Sequence, residues 1–532
     1  MAEQAIGPRK RKQAPVLRCK QTETILSANY RIAARGISAG HDLKVNHANA
    51  ICVRTPVTQA RILSLLVLLF AVSVLAAADL TVDFSRTNGL IRPLHGVNLG
   101  PLCYRGMVDL SGYHRELRVP LTRLHDVVWV NYDAVDISTI FRDFRNDPAQ
   151  PENYEFAATD DYIAAIVNTG SPILYRLGES IEHTPRQYRV HPPKDFAKWA
   201  QICCAIIRHY NEGWDGGFRH NIRYWEIWNE PENQPAMWTG TDDQYFQLYE
   251  ITARAIKTRW PGLKVGGPSL GYTGEFKDGQ FQAGDFLLRF MRYCRDRQVP
   301  LDFFSWHRYA QDPSDYARRA RTIRRLLDEH GFTKTESHLN EWNYLPNEDW
   351  RPMTKEGQGL LREQWSAEIG GPNGAAFAAW TLISLQDAPL DAANYYTAEV
   401  QMFGMFNLNG VPRKSFYAFK AFRALLDTPR RVQTPSCEAS RVAVCAGLNS
   451  ERTRATILLS NFNTAGGAPD IVVRALPWNV TTAFELYLID ANSDFRLARR
   501  GSLGADGRLA LAELKAPAVA LLKLAPMPAE SH

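Results

Sequence analysis

The chain has 532 residues, 45% hydrophobic and 22% charged. This is ordinary globular composition, too long for one compact core and suited to two or three domains. The net charge of +6 belongs to the leader: eleven of the 62 basic and three of the 56 acidic residues precede residue 62, so the 51 basic and 53 acidic residues from 79 onward leave −2, which excludes a nucleic-acid surface on the body.

In chain order the first feature is the uncharged run ILSLLVLLFAVSVLAAA at 62–78. At 17 residues it is short for a membrane span and sufficient for the apolar core of a signal peptide. Arg54 and Arg61 precede it, and Ala76 and Ala78 form a small-x-small cleavage pattern before Asp79. The expectation is a basic leader and signal peptide over 1–78 and a secreted or periplasmic protein; the alternative is an uncleaved membrane anchor. The 61 residues upstream exceed a signal n-region, which favours a start near 53–57. N-terminal sequencing checks this, and a mature terminus upstream of residue 50 overturns it. Six cysteines follow the leader, with no metal-type spacing. Cys203 and Cys204 read as buried helical thiols, and Cys437 and Cys445 as a hairpin bridge. Asn479-Val480-Thr481 is a glycosylation sequon.

From 79 to 426 short apolar runs alternate with amphipathic stretches. The runs are RPLHGVNLG (92–100), VPLTRLHD (119–126), SPILYRLG (171–178), IRYWEIWNE (222–230), LKVGGP (263–268), PLDFFSWH (300–307), ESHLNE (336–341) and GAAFAAWTL (374–382). Between them, TDDQYFQLYEITARAIKTRWPG is the clearest helix, with Thr241 as cap, Asp242 and Asp243 in the first turn and Pro261-Gly262 as stop. Residues 198–210 and 316–330 read as helices too. Eight strands with helical connections predict an α/β fold, a (β/α)8 barrel, whose chemistry sits at the C-terminal strand ends. The polar residues there are Asn98, His125, Glu179, Asn229, Glu230, His307 and Glu341. After residue 426 five strand-like runs separated by turns predict a β-sandwich over 427–532, which LTVDF (80–84) is expected to join, with a loose tail from Pro526.

Glu230 and Glu341 end predicted strands 4 and 7, and each follows an asparagine. Two carboxylates aimed into one barrel mouth are what glycoside cleavage requires, one protonated to serve the leaving oxygen and one ionised to attack the anomeric carbon. Asn229 is a candidate donor to the sugar 2-hydroxyl, and Arg123 is placed to hold the nucleophile ionised. His125, His307 and Tyr309 are candidates for ring hydroxyls or carboxylate tuning, and Trp380 for stacking on a sugar face. Glu226, inside its strand, reads as structural, Glu232 as a solvated loop residue, and Trp225 and Trp228 as packing.

WEIWNEP followed far downstream by LNEWN resembles the clan A glycoside hydrolases. LTRLHD, KVGGPS, DFFSWHRY and MFGMFNLNGVPRKSFYAFKAF (402–422) narrow the resemblance to glycoside hydrolase family 39, which holds β-xylosidases and α-L-iduronidases. It spans about residues 94 to 425 and the β-sandwich that follows. The resemblance implies Glu230 as general acid/base, Glu341 as nucleophile, retention through a covalent glycosyl-enzyme, and no metal or cofactor. The family's iduronidases carry a basic residue where this chain has Tyr309, with Arg308 adjacent, which favours a neutral sugar and a β-xylosidase-like activity. LISLQDAPLD departs from the xylosidase pattern after strand 8 and makes Asp387 a further contact candidate. In strand 3, Arg176 and Glu179 stand where apolar residues are expected. The expected partner is an oligosaccharide or polysaccharide, with a membrane only if 62–78 is uncleaved. The alternatives are an endo-acting enzyme on an exopolysaccharide, an inverting enzyme with the same residues, and a catalytically silent carbohydrate-binding protein.

Overall fold

Eight parallel strands close on themselves in chain order: β1 (Gly96–Asn98), β2 (Thr122–Leu124), β3 (Ile173–Leu177), β4 (Tyr224–Ile227), β5 (Lys264–Leu270), β6 (Phe303–Ala310), β7 (Glu336–Tyr344) and β8 (Ala392–Tyr395). The computed structural model describes residues 79–103, 106–129, 133–437, 442–463 and 470–527. The leader expectations at 1–78 and the end of the tail lie outside the described residues. Among the described residues no helix is long and apolar enough to cross a membrane.

The strands form because their residues are apolar on both faces, one toward the barrel interior and one toward the surrounding helices. β3 is buried at all five positions and β7 at eight of nine. The helix α1 (Phe196–Asn211) carries Cys203, buried, and Cys204, half-buried. The helix α2 (Asp242–Arg259) opens on a capping box. Thr241 Oγ1 accepts from the Gln244 N–H at 3.2 Å, and Gln244 Oε1 accepts from the Thr241 N–H at 2.9 Å. Its buried face includes Phe246, Tyr249, Ala253 and Ile256.

One strand differs from its expectation. GAAFAAWTL lies in the helix α3 (Pro372–Ser384), and the eighth strand is AANY at β8. The reason is burial on every side. From Gly374 to Ser384 every residue is buried, because α3 lies between the barrel and the C-terminal sheet. Ser460 Oγ of that sheet donates to the Ala376 carbonyl at 2.6 Å. A helix without a polar face reads as a continuous apolar run, and periodicity cannot separate it from a buried strand.

The C-terminal region is a seven-stranded antiparallel sheet facing a three-stranded one. In the smaller sheet Leu80–Asp83 pairs in parallel with Ile471–Arg474. In the larger, Thr87–Leu90 pairs with Arg430–Val432. The chain thus contributes to both sheets before it enters the barrel. Leu80, Val82, Ile457, Leu459, Leu486 and Leu522 belong to the core of this region. The last strand, Ala518–Pro526, runs to Pro526, where the tail was expected to begin. Cys437 and Cys445 are free rather than bridged. The Cys445 thiol is pushed up to about 11, first by burial, with Arg431 beside it acting in the opposite direction.

Candidate active site

The C-terminal strand ends converge on a cavity of ≈ 460 Å³ whose wall includes His125, Asn229, Glu230, Glu232, Tyr309 and Glu341. Another cavity, of ≈ 570 Å³, opens between the N-terminal strand ends, with Gly96, Pro120, Pro172 and Asp391 in its wall and no carboxylate pair. Size therefore does not identify the site; the chemistry of the wall does.

Backbone irregularity aims the side chains. Leu99, Asp126, Trp228, Glu230 and Ser269, all at or just after strand ends, have φ of 71°, 55°, 70°, 42° and 61°. Non-glycine residues occupy this left-handed region at a cost, and such strain gathers at functional sites. The β6–β7 register shifts between Trp306 and His307, after which His307 lies opposite Glu341. That bulge turns both groups into the mouth.

Beneath the cavity lies a fully buried arginine. Arg123 Nε donates to Glu226 Oε2 at 2.7 Å. Its Nη1 donates to Glu341 Oε1 at 2.7 Å and Asn98 Oδ1 at 3.1 Å. Its Nη2 donates to Asn229 Oδ1 at 2.7 Å and Ser269 Oγ at 2.8 Å. All five guanidinium donors are satisfied by side chains from β1, β4, β5, β7 and the turn after β4. Burial alone would weaken its charge; Glu226 and Glu341 outweigh burial and hold its pKa above the ordinary value. Glu226 also accepts from Asn340 Nδ2 at 2.6 Å, so it is structural as expected. The two asparagines before the two glutamates thus have different tasks. Asn340 points into the barrel, while Asn229 has its Oδ1 held and keeps its amide NH2 for the cavity.

Glu341 is held at both oxygens, Oε1 by Arg123 and Oε2 by the Tyr309 hydroxyl at 2.9 Å. Burial and the charge of Glu341 push the Tyr309 phenol well above its usual range, so it is a neutral donor. Glu230 Oε1 lies 2.7 Å from His307 Nδ1, and its Oε2 accepts from Asn233 Nδ2 at 3.0 Å. His307 Nε2 in turn lies 2.6 Å from Ser269 Oγ. Burial pushes the Glu230 pKa up, but His307, Asn233 and Arg123 outweigh it and leave it below the ordinary value. One ligand-type atom from each of Glu230, His307 and Glu341 lies within 4.8 Å of the other two. Protein donors already satisfy these groups, so nothing in the cluster calls for a cation. His125 is kept neutral, first by burial and then by the charges of Arg176, Arg123 and His307.

Of the expected site residues, the structure brings Arg123, His125, Asn229, Glu230, His307, Tyr309 and Glu341 together. It does not bring Trp380 or Asp387. Trp380 is buried on α3, away from the cavity. Asp387 precedes β8 and so lies toward the opposite end of the barrel, paired with Arg431 at 2.8 Å. Both misplacements follow from taking α3 for the eighth strand. Glu232 is not a solvated loop residue either: it is half-buried in the cavity wall, where burial and then the charge of Glu230 push it up to about 8. Sequence reasoning missed Asp126, Tyr272, Trp350 and Tyr396. Trp350, 46% exposed, stands edge-on to Tyr309 at 5.2 Å, and Tyr272 is 51% exposed. The available signal was position, since both aromatics lie in loops that leave C-terminal strand ends.

The sequence profile described as Glycosyl hydrolases family 39 matches residues 103–430. A β-xylosidase of Geobacillus stearothermophilus is 29% identical over 263 residues, covering 45% of this chain and 48% of that protein. The chain thus matches about half the length of that relative. Among solved structures, a glucosidase from Croceicoccus marinus aligns with a TM-score of 0.70 at 25% identity, over 85% of this chain and 99% of that one. A monomeric β-xylosidase from Caulobacter crescentus aligns at 0.64 and 16% identity, over 85% and 100%, a likeness of fold.

Proposed function

Since the chain belongs to glycosyl hydrolase family 39, we propose that it is a retaining O-glycoside hydrolase acting on a neutral sugar, with β-xylosides as the first substrate class. The observation that carries the mechanism is the approach of Glu230 and Glu341, with one oxygen of each within 4.8 Å of the other across one cavity. Retention uses a carboxyl separation of about 5–5.5 Å, whereas inversion needs roughly 6.5–9.5 Å to admit a water. In this reading Glu341, ionised and oriented by Arg123 and Tyr309, attacks the anomeric carbon. Glu230 protonates the departing oxygen, then takes the proton of the water that releases the glycosyl-enzyme. The Asn229 amide meets the 2-hydroxyl.

The cavity wall favours a neutral sugar. Asp126, Glu230, Glu232 and Glu341 line it, and no lysine or arginine does so among the described residues. A uronate carboxylate would find no lysine or arginine there to pair with. The similarity to a β-xylosidase favours xylosides, and the glucosidase likeness makes β-glucosides the comparison substrate. Export through 62–78 is part of the same proposal.

The test is turnover of a nitrophenyl glycoside panel by the wild type and by Glu341→Ala, with the stereochemistry of the first product read by NMR. The expected result is retained configuration from the β-xyloside and a loss of at least about 10³-fold without Glu341. Inverted product overturns the covalent step. An intact small-glycoside panel with turnover of polysaccharide selects the endo-acting reading, and no turnover of either selects the silent scaffold.

A further inference from the structure

We propose that Glu232 is the proton partner of Glu230: the two carboxyls on the turn after β4 hold one proton between them in the resting enzyme, which keeps an acid available to the leaving oxygen at neutral pH. This rests on the reading above and goes beyond it by giving a positioning role to a residue outside the catalytic pair.

The geometry poses a difficulty that the shared proton removes. Glu230 faces His307 and Asn233, with Arg123 behind it, and these groups favour its anion. A general acid must nevertheless start protonated. Glu232 lies two residues on and lines the same cavity. Its Oε1 accepts from the Tyr272 N–H at 2.9 Å, while its Oε2 is buried without a hydrogen-bond partner. A buried anionic oxygen without a donor is costly, and a neutral carboxyl far less so. Among the described residues no lysine or arginine of the cavity wall offsets this, and the loop after β3 adds His183 to that wall. Glu230 is on the same turn; β6 presents His307, already bound to Glu230, and β7 presents Glu341. From β2 come Arg123, balanced by Glu226 and Glu341, then neutral His125 and Asp126, which burial pushes up to about 7. The backbone N–H groups of Tyr272, Glu232 and Gly271 favour its anion, but burial and the charge of Glu230 outweigh them, so the surroundings of Glu232 favour a proton on it.

Two coupled carboxyls titrate as one system. The form with the proton on Glu230 donates it to the leaving oxygen as the glycosidic C–O bond breaks and the Glu341–carbon bond forms. The water that later cleaves the Glu341–carbon bond returns a proton to the pair, so each cycle closes.

The test is the pH profile of kcat/KM on xylobiose, whose unactivated leaving group needs the acid, for the full-length wild type and Glu232→Gln. The amide keeps an acceptor for the Tyr272 N–H. Without Glu232, Glu230 is alone among groups that favour its anion, so the basic limb should move down by at least about one pH unit while the acid limb stays. An unmoved basic limb, or an equal loss at every pH, overturns the proposal. The carboxyl C=O infrared band decides the matter independently of turnover and of that variant's folding. In Glu230→Gln the proton on Glu232 loses its charged neighbour, so within the band that Asp126, Glu179 and Glu399 also feed above about pH 6, one carboxyl's component should titrate about one unit lower. The same midpoint in both proteins overturns the sharing. A wild type that cleaves no glycoside brings down the proposed function instead, and the infrared comparison still decides whether the proton is shared.

Discussion

A single missing methyl group sets the position of Glu230. A Cβ at Gly271 would lie 2.6 Å from Glu230 Oε1 and 2.8 Å from its Cδ, closer than van der Waals contact allows, with no backbone atom among its nearest neighbours. The turn after β5 therefore passes where only glycine leaves room for the carboxyl. Gly271→Ala can be relieved by swinging the Glu230 carboxyl aside, so its cost falls on chemistry rather than on folding. Displacing a reacting group by about 1 Å costs on the order of 10²-fold in rate. We expect kcat to fall by about that factor with KM and Tm little changed. A loss confined to KM, or a drop in Tm as large as that of a core mutation, would show that the contact is not what positions Glu230.

At the scale of elements, the stacking role expected of Trp380 falls to Trp350, a residue the sequence did not single out. Trp380 packs inside α3, where the helix is buried all round. Trp350 sits in the loop after β7, lines the cavity and has nearly half its surface exposed. Trp380→Ala should cost about 3–5 kcal/mol of stability by leaving a cavity, with KM unmoved. Trp350→Ala should leave the melting temperature in place and raise KM about tenfold through lost stacking. Melting curves and KM for both variants separate the two outcomes, and the reverse pattern would restore Trp380 as the sugar platform. The same contrast shows what the sequence could and could not reveal. Seven barrel strands were legible because each is a short apolar run, and six of them carry a polar group at the mouth. β8 was not, since its apolar run is broken by Asn394, whose buried amide donates to the Val97 and Leu121 carbonyls, and the longer apolar run of α3 took its place. The edge strand Asp494–Ser502 escaped for the opposite reason. It is largely exposed and carries Arg496, Arg499 and Arg500, charges of the kind that protect an edge from pairing, so it lacks alternation. Glu230 and Glu341 were legible from strand-end position and their mutual spacing, whereas Glu232 was not, because a glutamate in a turn is ordinarily solvated.

Across the whole molecule, several carboxyls are buried in a neutral form, and this gives stability a definite pH dependence. Asp126 is pushed up to about 7 and Glu179, Glu232 and Glu399 to about 8, with burial the first cause in each. In the unfolded chain these groups release their protons near 3.8 and 4.5. Between about pH 4 and 8 these four groups therefore hold more protons in the native state than in the unfolded one, and their contribution to stability falls as pH rises through that window. Glu336 works in the other direction at lower pH. Burial raises its pKa, but His338 and Lys264 outweigh burial and hold it at about 2, so its contribution is present above 4.5 and lost as pH falls toward 2. Burial holds His95 and His114 at about 4 and His125 well below 6.5, so their contribution is lost as pH falls below about 6.5; together these terms place the maximum of Tm near about pH 6, with a decline toward pH 8. Glu399 offers a clean test, because it is buried in the loop after β8 and is not part of the cavity wall. Glu399→Gln removes the ionisation and keeps the shape, so its Tm should match the wild type near pH 5 and exceed it at pH 8. Parallel Tm–pH curves for the two proteins would show that Glu399 is not buried as a neutral acid. A diverging pair would show that the fold gives up stability at neutral pH to bury Glu399 as a neutral acid.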